Sequence, residues 1–191
     1  MTIGLFVEGP SDERSIPILA RKILASKGVR HGVVVRVAPR GNLFNAQKMK
    51  VHIDTLLRTH QDITKVIICV DSDCNPPEAE GLAKSAEGQL VNLRLKTLLR
   101  YVVVVHALEG WLAADTGAVG KVVGANVASY IPQDLEGVCK PADLLDQIFD
   151  KYGKDFRKTQ HDPLIADYAD PAAIARRNSS FRQFQEAITD P

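Results

Sequence analysis

The residues best suited to chemistry are acids placed directly after apolar runs. Ile3-Gly4-Leu5-Phe6-Val7 is followed by Glu8-Gly9, and Val66-Ile67-Ile68-Cys69-Val70 is followed by Asp71-Ser72-Asp73. Each run has the length and composition of a buried strand, so each acid stands at a strand exit. In a parallel sheet neighbouring strand exits lie side by side, and ligands bind along that edge. Carboxylates gathered there repel one another unless a cation sits between them, and oxygen-only donors suit Mg²⁺ or Mn²⁺. Asp71 and Asp73 are two apart, so an extended chain projects them to the same side. An isolated Asp-x-Asp is equally an ordinary polar turn. The metal reading gains because Glu109, after the β-branched run Tyr101 to His106, follows another strand in the same fashion.

Gly9 permits a sharp turn or a close backbone approach to a ligand, and the helix expected after it aims N–H groups at the same edge, a setting that favours phosphate. The plainer reading is a strand–helix turn with a good cap, and both can hold. A phosphate partner needs cations. Lys140, just before an expected helix start, is the first candidate; Arg176 with Arg177 is the second, and Arg14 and Arg40 lie near strand exits in the sequence. Any one of these is otherwise a solvated surface charge. His106 and His161 are weighed as catalytic aids against a half-buried satisfied ring and a polar-loop position. Trp111 is weighed as a base-stacking platform against a core anchor beside Leu108 and Leu112.

The elements that must position these residues alternate in type. A strand over 3–8 leads to a helix over 12–27, with Ser11 at its cap, Asp12 and Glu13 in its first turn and Ile16, Leu19, Ile23 and Leu24 at core-facing spacing. A valine-rich strand covers 32–38, a helix 43–60, a strand 65–71, a helix much of 78–99 and a strand 101–106, followed by a short helix over 107–115. This alternation predicts an α/β fold: a mainly parallel four-stranded sheet with helices on both faces. Beyond residue 116 the expectation is a C-terminal helical cap on the same domain, with helices at 141–152 and 171–187. Residues 1–116 then form the α/β core and 117–191 the extension.

With 191 residues, 45% apolar and 25% charged, the chain has ordinary globular composition, and its net charge of +1 gives no global basic footprint for passive nucleic-acid coating. No charged leader opens it, and no apolar run approaches the roughly 20 residues that span a bilayer. The three cysteines, Cys69, Cys74 and Cys139, suggest no paired framework, so a cytoplasmic, reducing setting is expected. No Gly-x-x-x-x-Gly-Lys-Ser/Thr is present, so the chain carries no ATPase module of its own.

Val7-Glu8-Gly9-Pro10-Ser11-Asp12-Glu13 followed by Val70-Asp71-Ser72-Asp73 resembles the Toprim domain of topoisomerases, bacterial primases and nucleases of the overcoming-lysogenisation-defect type. Glu109-Gly110-Trp111-Leu112-Ala113-Ala114-Asp115, Lys140-Pro141 and Arg177-Asn178-Ser179-Ser180-Phe181 extend the likeness to a stand-alone, Toprim-like bacterial family of unassigned function. The resemblance implies that Glu8 is a general acid or base or a metal ligand, that Asp71 and Asp73 hold Mg²⁺, and that Glu109 is the further acid of the nuclease branch, with Glu13 as an additional ligand. It implies Mg²⁺- or Mn²⁺-dependent hydrolysis of nucleic-acid phosphodiesters and supports Lys140, which has a counterpart in that family; Arg14, Arg176 and Arg177 are the further substrate-binding candidates from the residues themselves. Two alternatives stay open: a non-catalytic subunit that binds nucleic acid or a partner, beside a separately encoded ATPase, and a phosphoryl-transfer enzyme acting on small nucleotides. The sequence sets no oligomeric state.

Overall fold

Every side chain of strand β1 (Thr2–Val7) is buried, so the strand needs cover on both faces and a neighbour on both edges. The computed structural model, which describes residues 2–93, 95 and 97–190, gives it both. Helix α1 (Pro10–Ser26) leads to strand β2 (Gly32–Val37). Helices α2 (Arg40–Leu43) and α3 (Ala46–Thr59) lead to β3 (Ile63–Asp71), and α4 (Pro76–Asn92) leads to β4 (Leu98–Val104). The four strands form one sheet in the order β2-β1-β3-β4, with every pair parallel. The chain is therefore α/β, as its alternation predicts.

The remainder is helical: α5 (Leu108–Ala114), α6 (Thr116–Val123), α7 (Pro141–Lys151), α8 (Lys158–Tyr168), α9 (Pro171–Arg177) and α10 (Ser179–Thr189). Alternation along β1 and β3 sorts two cores. Ile3, Leu5, Val7, Ile67 and Cys69 pack with α1 and with residues of these later helices, among them Trp111, Leu145, Ile165, Ile174 and Phe181. Phe6, Val66, Ile68 and Val70 pack with α3 and α4. Gly4 lets α3 approach β1, since a Cβ there would meet Leu56 Cδ2 at 2.8 Å. Lys65, on β3 and only 2% exposed, donates Nζ to the Ala187 carbonyl at 2.9 Å and also to Asp190 O, closing the C-terminal end of α10. Among the described residues no helix is long and apolar enough to cross a membrane.

Several local expectations change. The helix expected over 43–60 is interrupted, because Asn45 caps α3 by accepting from Lys48 N at 3.0 Å. The region 171–187 breaks at Asn178, whose side chain caps α10 through Phe181 N at 2.9 Å. The part of the expected 78–99 helix at residues 94 and 96 lies outside the described residues. His161, expected in a polar loop, lies within α8, a helix that accommodates Pro163 in its interior. Proline cannot donate to the carbonyl four residues back, and Arg14 Nη1 takes that carbonyl, Thr159 O, at 3.2 Å. The cysteine expectation is corrected: Cys74 and Cys139 form a disulfide, while Cys69 is free and buried in the core.

The Arg177–Phe181 segment explains itself structurally. Ser180 Oγ accepts from Trp111 Nε1 at 2.8 Å and from Val105 N at 3.2 Å, and donates to Asn178 Oδ1 at 2.8 Å. Trp111 is buried between Phe181 and Phe184, each 5.1 Å away by ring centroid, which makes it a core anchor and leaves no face for a base. Ser180→Ala leaves the Trp111 and Val105 donors unpaired in the interior. The expected loss is about 1–3 kcal/mol of unfolding free energy, measured by urea denaturation.

Candidate acidic site at the sheet edge

The strand order creates the site. α1 leaves β1 on one face of the sheet toward β2 and α4 leaves β3 on the other toward β4, so connections diverge between β1 and β3, the switch point where α/β sheets bind ligands. Glu8 follows β1 and Asp71 ends β3 at this point. They are joined directly, with Asp71 N donating to Glu8 Oε1 at 2.9 Å. Asp12, in the first turn of α1, faces the same edge and accepts from Gly9 N at 3.0 Å. Glu109 enters from the first turn of α5 and is 3% exposed.

These carboxylates crowd one another. Burial raises the Asp71 pKa well above the ordinary aspartate value, and the charges of Asp12, Glu8, Glu109 and Asp73 push it further the same way. Burial likewise raises Glu8, opposed by its bond from Asp71 N and by Arg40. Asp12 is pushed up to about 6, first by burial and then by Glu109, against the bond from Gly9. Helix α8 adds two groups. Lys158 Nζ pairs with Glu109 Oε1 at 2.7 Å. Burial works against its ammonium, yet Glu109, Asp162 and Asp71 hold its pKa above the usual lysine value. Asp162 is fully buried; Ser11 Oγ donates to its Oδ2, and its Oδ1 has no partner among the described residues. Its pKa is pushed up to about 8, by burial first and Glu109 second.

The candidates from the sequence thus divide. Glu8, Asp71 and Glu109 come together. Asp73 stands apart from the strand alternation: it lies beyond the end of β3 with φ 48°, in the left-handed region, and its exposed carboxylate pairs with Arg40. Glu13 is exposed on α1, and the acid turned inward is its neighbour Asp12. Lys140, exposed at the N-terminus of α7, borders a cleft of about 360 Å³ together with Asp73, His106 and Lys158. Arg14 is bound to Thr159 O. Arg177 is spent on the carbonyls of Ala114 at 3.0 Å and Pro132 at 2.6 Å. Arg176 lines a different cleft with Ser26 and Lys27, at the far end of α1, roughly 20 Å along the helix from Asp12. His106 is 6% exposed, and its ring nitrogens face the carbonyls of Asp73 and Glu136.

Ser11 and Asp12 were read from the sequence as a helix cap and a first-turn acid and not as site residues, and Lys158 and Asp162 were not singled out. A signal existed for Asp12: the buried stripe Ile23, Leu19, Ile16 reaches it one turn further back. For α8 the Pro163 interruption hid the equivalent stripe of Asp162, Ile165 and Ala166.

Oxygen donors surround the edge, and the unpartnered Asp162 Oδ1 and the repulsion at Asp71 are what a hard cation relieves. In chemical type the donor set fits Mg²⁺ or Mn²⁺. Its arrangement is not that of a closed cage: among the described residues no group of three or more His, Cys, Asp or Glu side chains is poised to hold a metal ion. Arg40 and Lys158 engage Asp73 and Glu109 instead.

The pH dependence of stability follows in sign. A carboxyl whose pKa is raised by folding contributes stability below its ordinary pKa and loses it as pH rises through the folded value. For Asp12 and Asp162 those folded values are about 6 and about 8. Without divalent cations the melting temperature is expected to fall between about pH 5 and pH 8, with Asp162→Asn flattening the upper part of that fall. Scanning calorimetry across this range checks it.

Residues 7–189 match the family described as "Domain of unknown function (DUF4276)", and the chain belongs to that family. No curated protein and no solved structure matches it.

Proposed function

We propose that this DUF4276 member is a Toprim-type hydrolase that cleaves nucleic-acid phosphodiesters with Mg²⁺ or Mn²⁺. The observation that carries the reading is the meeting of Glu8, Asp12, Asp71 and Glu109 at the β1–β3 switch point, where burial first and neighbouring carboxylates second raise the pKa values of Glu8, Asp12 and Asp71. Glu8, Asp71 and Asp12 would hold the ion after drawing in from the open arrangement described above, with Glu109 joining them on release from Lys158. Such an ion supplies Lewis acidity toward phosphate and lowers the pKa of water.

The chain's own residues do the rest. Glu8 has a raised pKa and one oxygen fixed by Asp71 N, which suits it to take up a proton at its other oxygen, Oε2. Lys158 and Lys140 share a cleft with Asp73 and offer two ammonium groups to phosphate oxygens. Arg14 and Arg177, bound to backbone carbonyls, serve the α1–α8 contact and the α5–α9 region instead.

A second reading, a non-catalytic nucleic-acid-binding subunit, is favoured by one observation: Arg40 and Lys158 already neutralise Asp73 and Glu109. Turnover separates the two. With purified protein, labelled single- and double-stranded DNA and RNA, and a Mg²⁺, Mn²⁺ and chelator series, cleavage is expected with metal and none with chelator. Glu8→Gln should lose about 10²–10⁴-fold in rate. Asp71→Asn should lose at least as much, and Asp73→Asn less, because its carboxylate lies outside the acid cluster. Nucleic acid retained without cleavage under every metal condition would favour the binding subunit. Cleavage of mononucleotide esters in preference to polymers would point to the small-nucleotide enzyme.

A further inference from the structure

The Cys74–Cys139 disulfide stands at an unusual place. Cys74 directly follows Asp73, in the turn after β3; Cys139 directly precedes Lys140, at the entrance to α7. The bridge therefore ties the loop carrying one candidate acid to the loop carrying one candidate phosphate cation, across 65 residues of chain. Both cysteines are exposed, and both line the cleft shared by Asp73, His106, Lys140 and Lys158. The one other cysteine, Cys69, is buried inside β3, where it cannot reach either partner without dismantling the strand.

The non-covalent ties between these two loops are few. His106 spans them, with Nδ1 at the Asp73 carbonyl and Nε2 at the Glu136 carbonyl. Glu136 in turn fastens its own loop to α10, accepting from Ser179 N at 2.6 Å and from Ser180 N at 3.2 Å. The turn at Asp73 holds a left-handed backbone that a non-glycine residue adopts at a cost, so it persists because its surroundings impose it. Arg40 pulls its side chain toward α2, His106 binds its carbonyl, and the disulfide fixes the residue after it.

We propose that Cys74–Cys139 is a thiol–disulfide exchange site whose redox state sets the geometry of this cleft, with a small thiol or dithiol as its reductant. The thiolate of the reductant attacks one Sγ, forming a mixed disulfide and releasing the other cysteine as a thiolate. A second thiolate, from the same dithiol or another thiol, then displaces the first cysteine. The protein gains two electrons and two protons, and the reductant leaves as its disulfide. Oxidised, the bridge holds Asp73 and Lys140 at one cleft. Reduced, the Lys140 loop keeps its Glu136 and His106 contacts and the packing of Leu135 and Val138 but loses its covalent tie to the Asp73 turn, which relaxes. The exchange reaction stands on the exposure and placement of the pair; its effect on turnover rests on the function proposed above.

The experiment has two parts. Thiol titration of the folded protein, before and after dithiothreitol, is expected to find two additional reactive thiols after reduction and Cys69 reactive only on denaturation. Hydrogen exchange read by mass spectrometry is expected to quicken at least about tenfold over residues 73–76 and 136–141 on reduction, a change equal to about 1.4 kcal/mol of local opening. Cys74→Ser/Cys139→Ser should exchange like the reduced protein and ignore dithiothreitol, while exchange over β1 and β3 stays unchanged. Two reactive thiols present before reduction, or equal exchange in both redox states, overturn the proposal. These readouts do not need turnover. A redox-sensitive cleft in a protein that cuts no phosphodiester would sink the hydrolase reading alone, and cleavage with a redox-silent cleft would sink this one alone.

Discussion

Four carboxylates from three separate stretches of chain meet where β1 and β3 end, and their mutual repulsion organises much of what surrounds them. The hydrophobic sheet delivers them there regardless of that repulsion, since β1 and β3 are buried on both faces and a one-residue slip would send the side chains of each core into the other. The protein offsets the concentration of charge in part. Asp71 N and Gly9 N each give a hydrogen bond to an acid, and Lys158 neutralises Glu109. Burial first, and the repulsion that remains second, raise the pKa values of Glu8, Asp12, Asp71 and Asp162. A structure that keeps buried, crowded carboxylates at a strand-exit edge gives up stability for it, and clusters of shifted pKa values of this kind are the observation on which the proposed function rests.

The helical extension beyond residue 116 takes part in this arrangement. α8 lies against α1 and brings Lys158 and Asp162 to the acids, while α10 braces β4 and Trp111 through Ser180. α7 carries Lys140 at its start and is joined to the Asp73 turn by the disulfide. The two hydrophobic cores lie on opposite faces of the sheet, and the edge is framed by elements from both halves of the chain.

Much of this was legible in the sequence. Alternating apolar runs and helical stripes predict the parallel sheet, and the acids after Val7 and Val70 fall at its exits because strand ends are where buried apolar runs stop. The later helices were less legible. Pro163 masks α8, since its compensation is an arginine on another helix, a tertiary fact. The Asp73 position followed from assuming that extended backbone continues past Asp71, whereas the chain turns into the left-handed region immediately. The cysteine pairing joins residues far apart in sequence, and no spacing rule predicts that the fold will bring them together. Of the basic candidates, Arg14 and Arg177 are held by backbone carbonyls that only the folded helices bring within reach.

The most direct test of the account is the melting temperature of Asp71→Asn beside the parent protein, at neutral pH, with chelator and with Mn²⁺. Asparagine keeps the shape and removes one charge from the crowded edge. If repulsion among these acids is the governing constraint, the variant melts higher than the parent in chelator and gains less from Mn²⁺. A variant that melts lower in chelator, or that gains as much from the metal as the parent does, would contradict it.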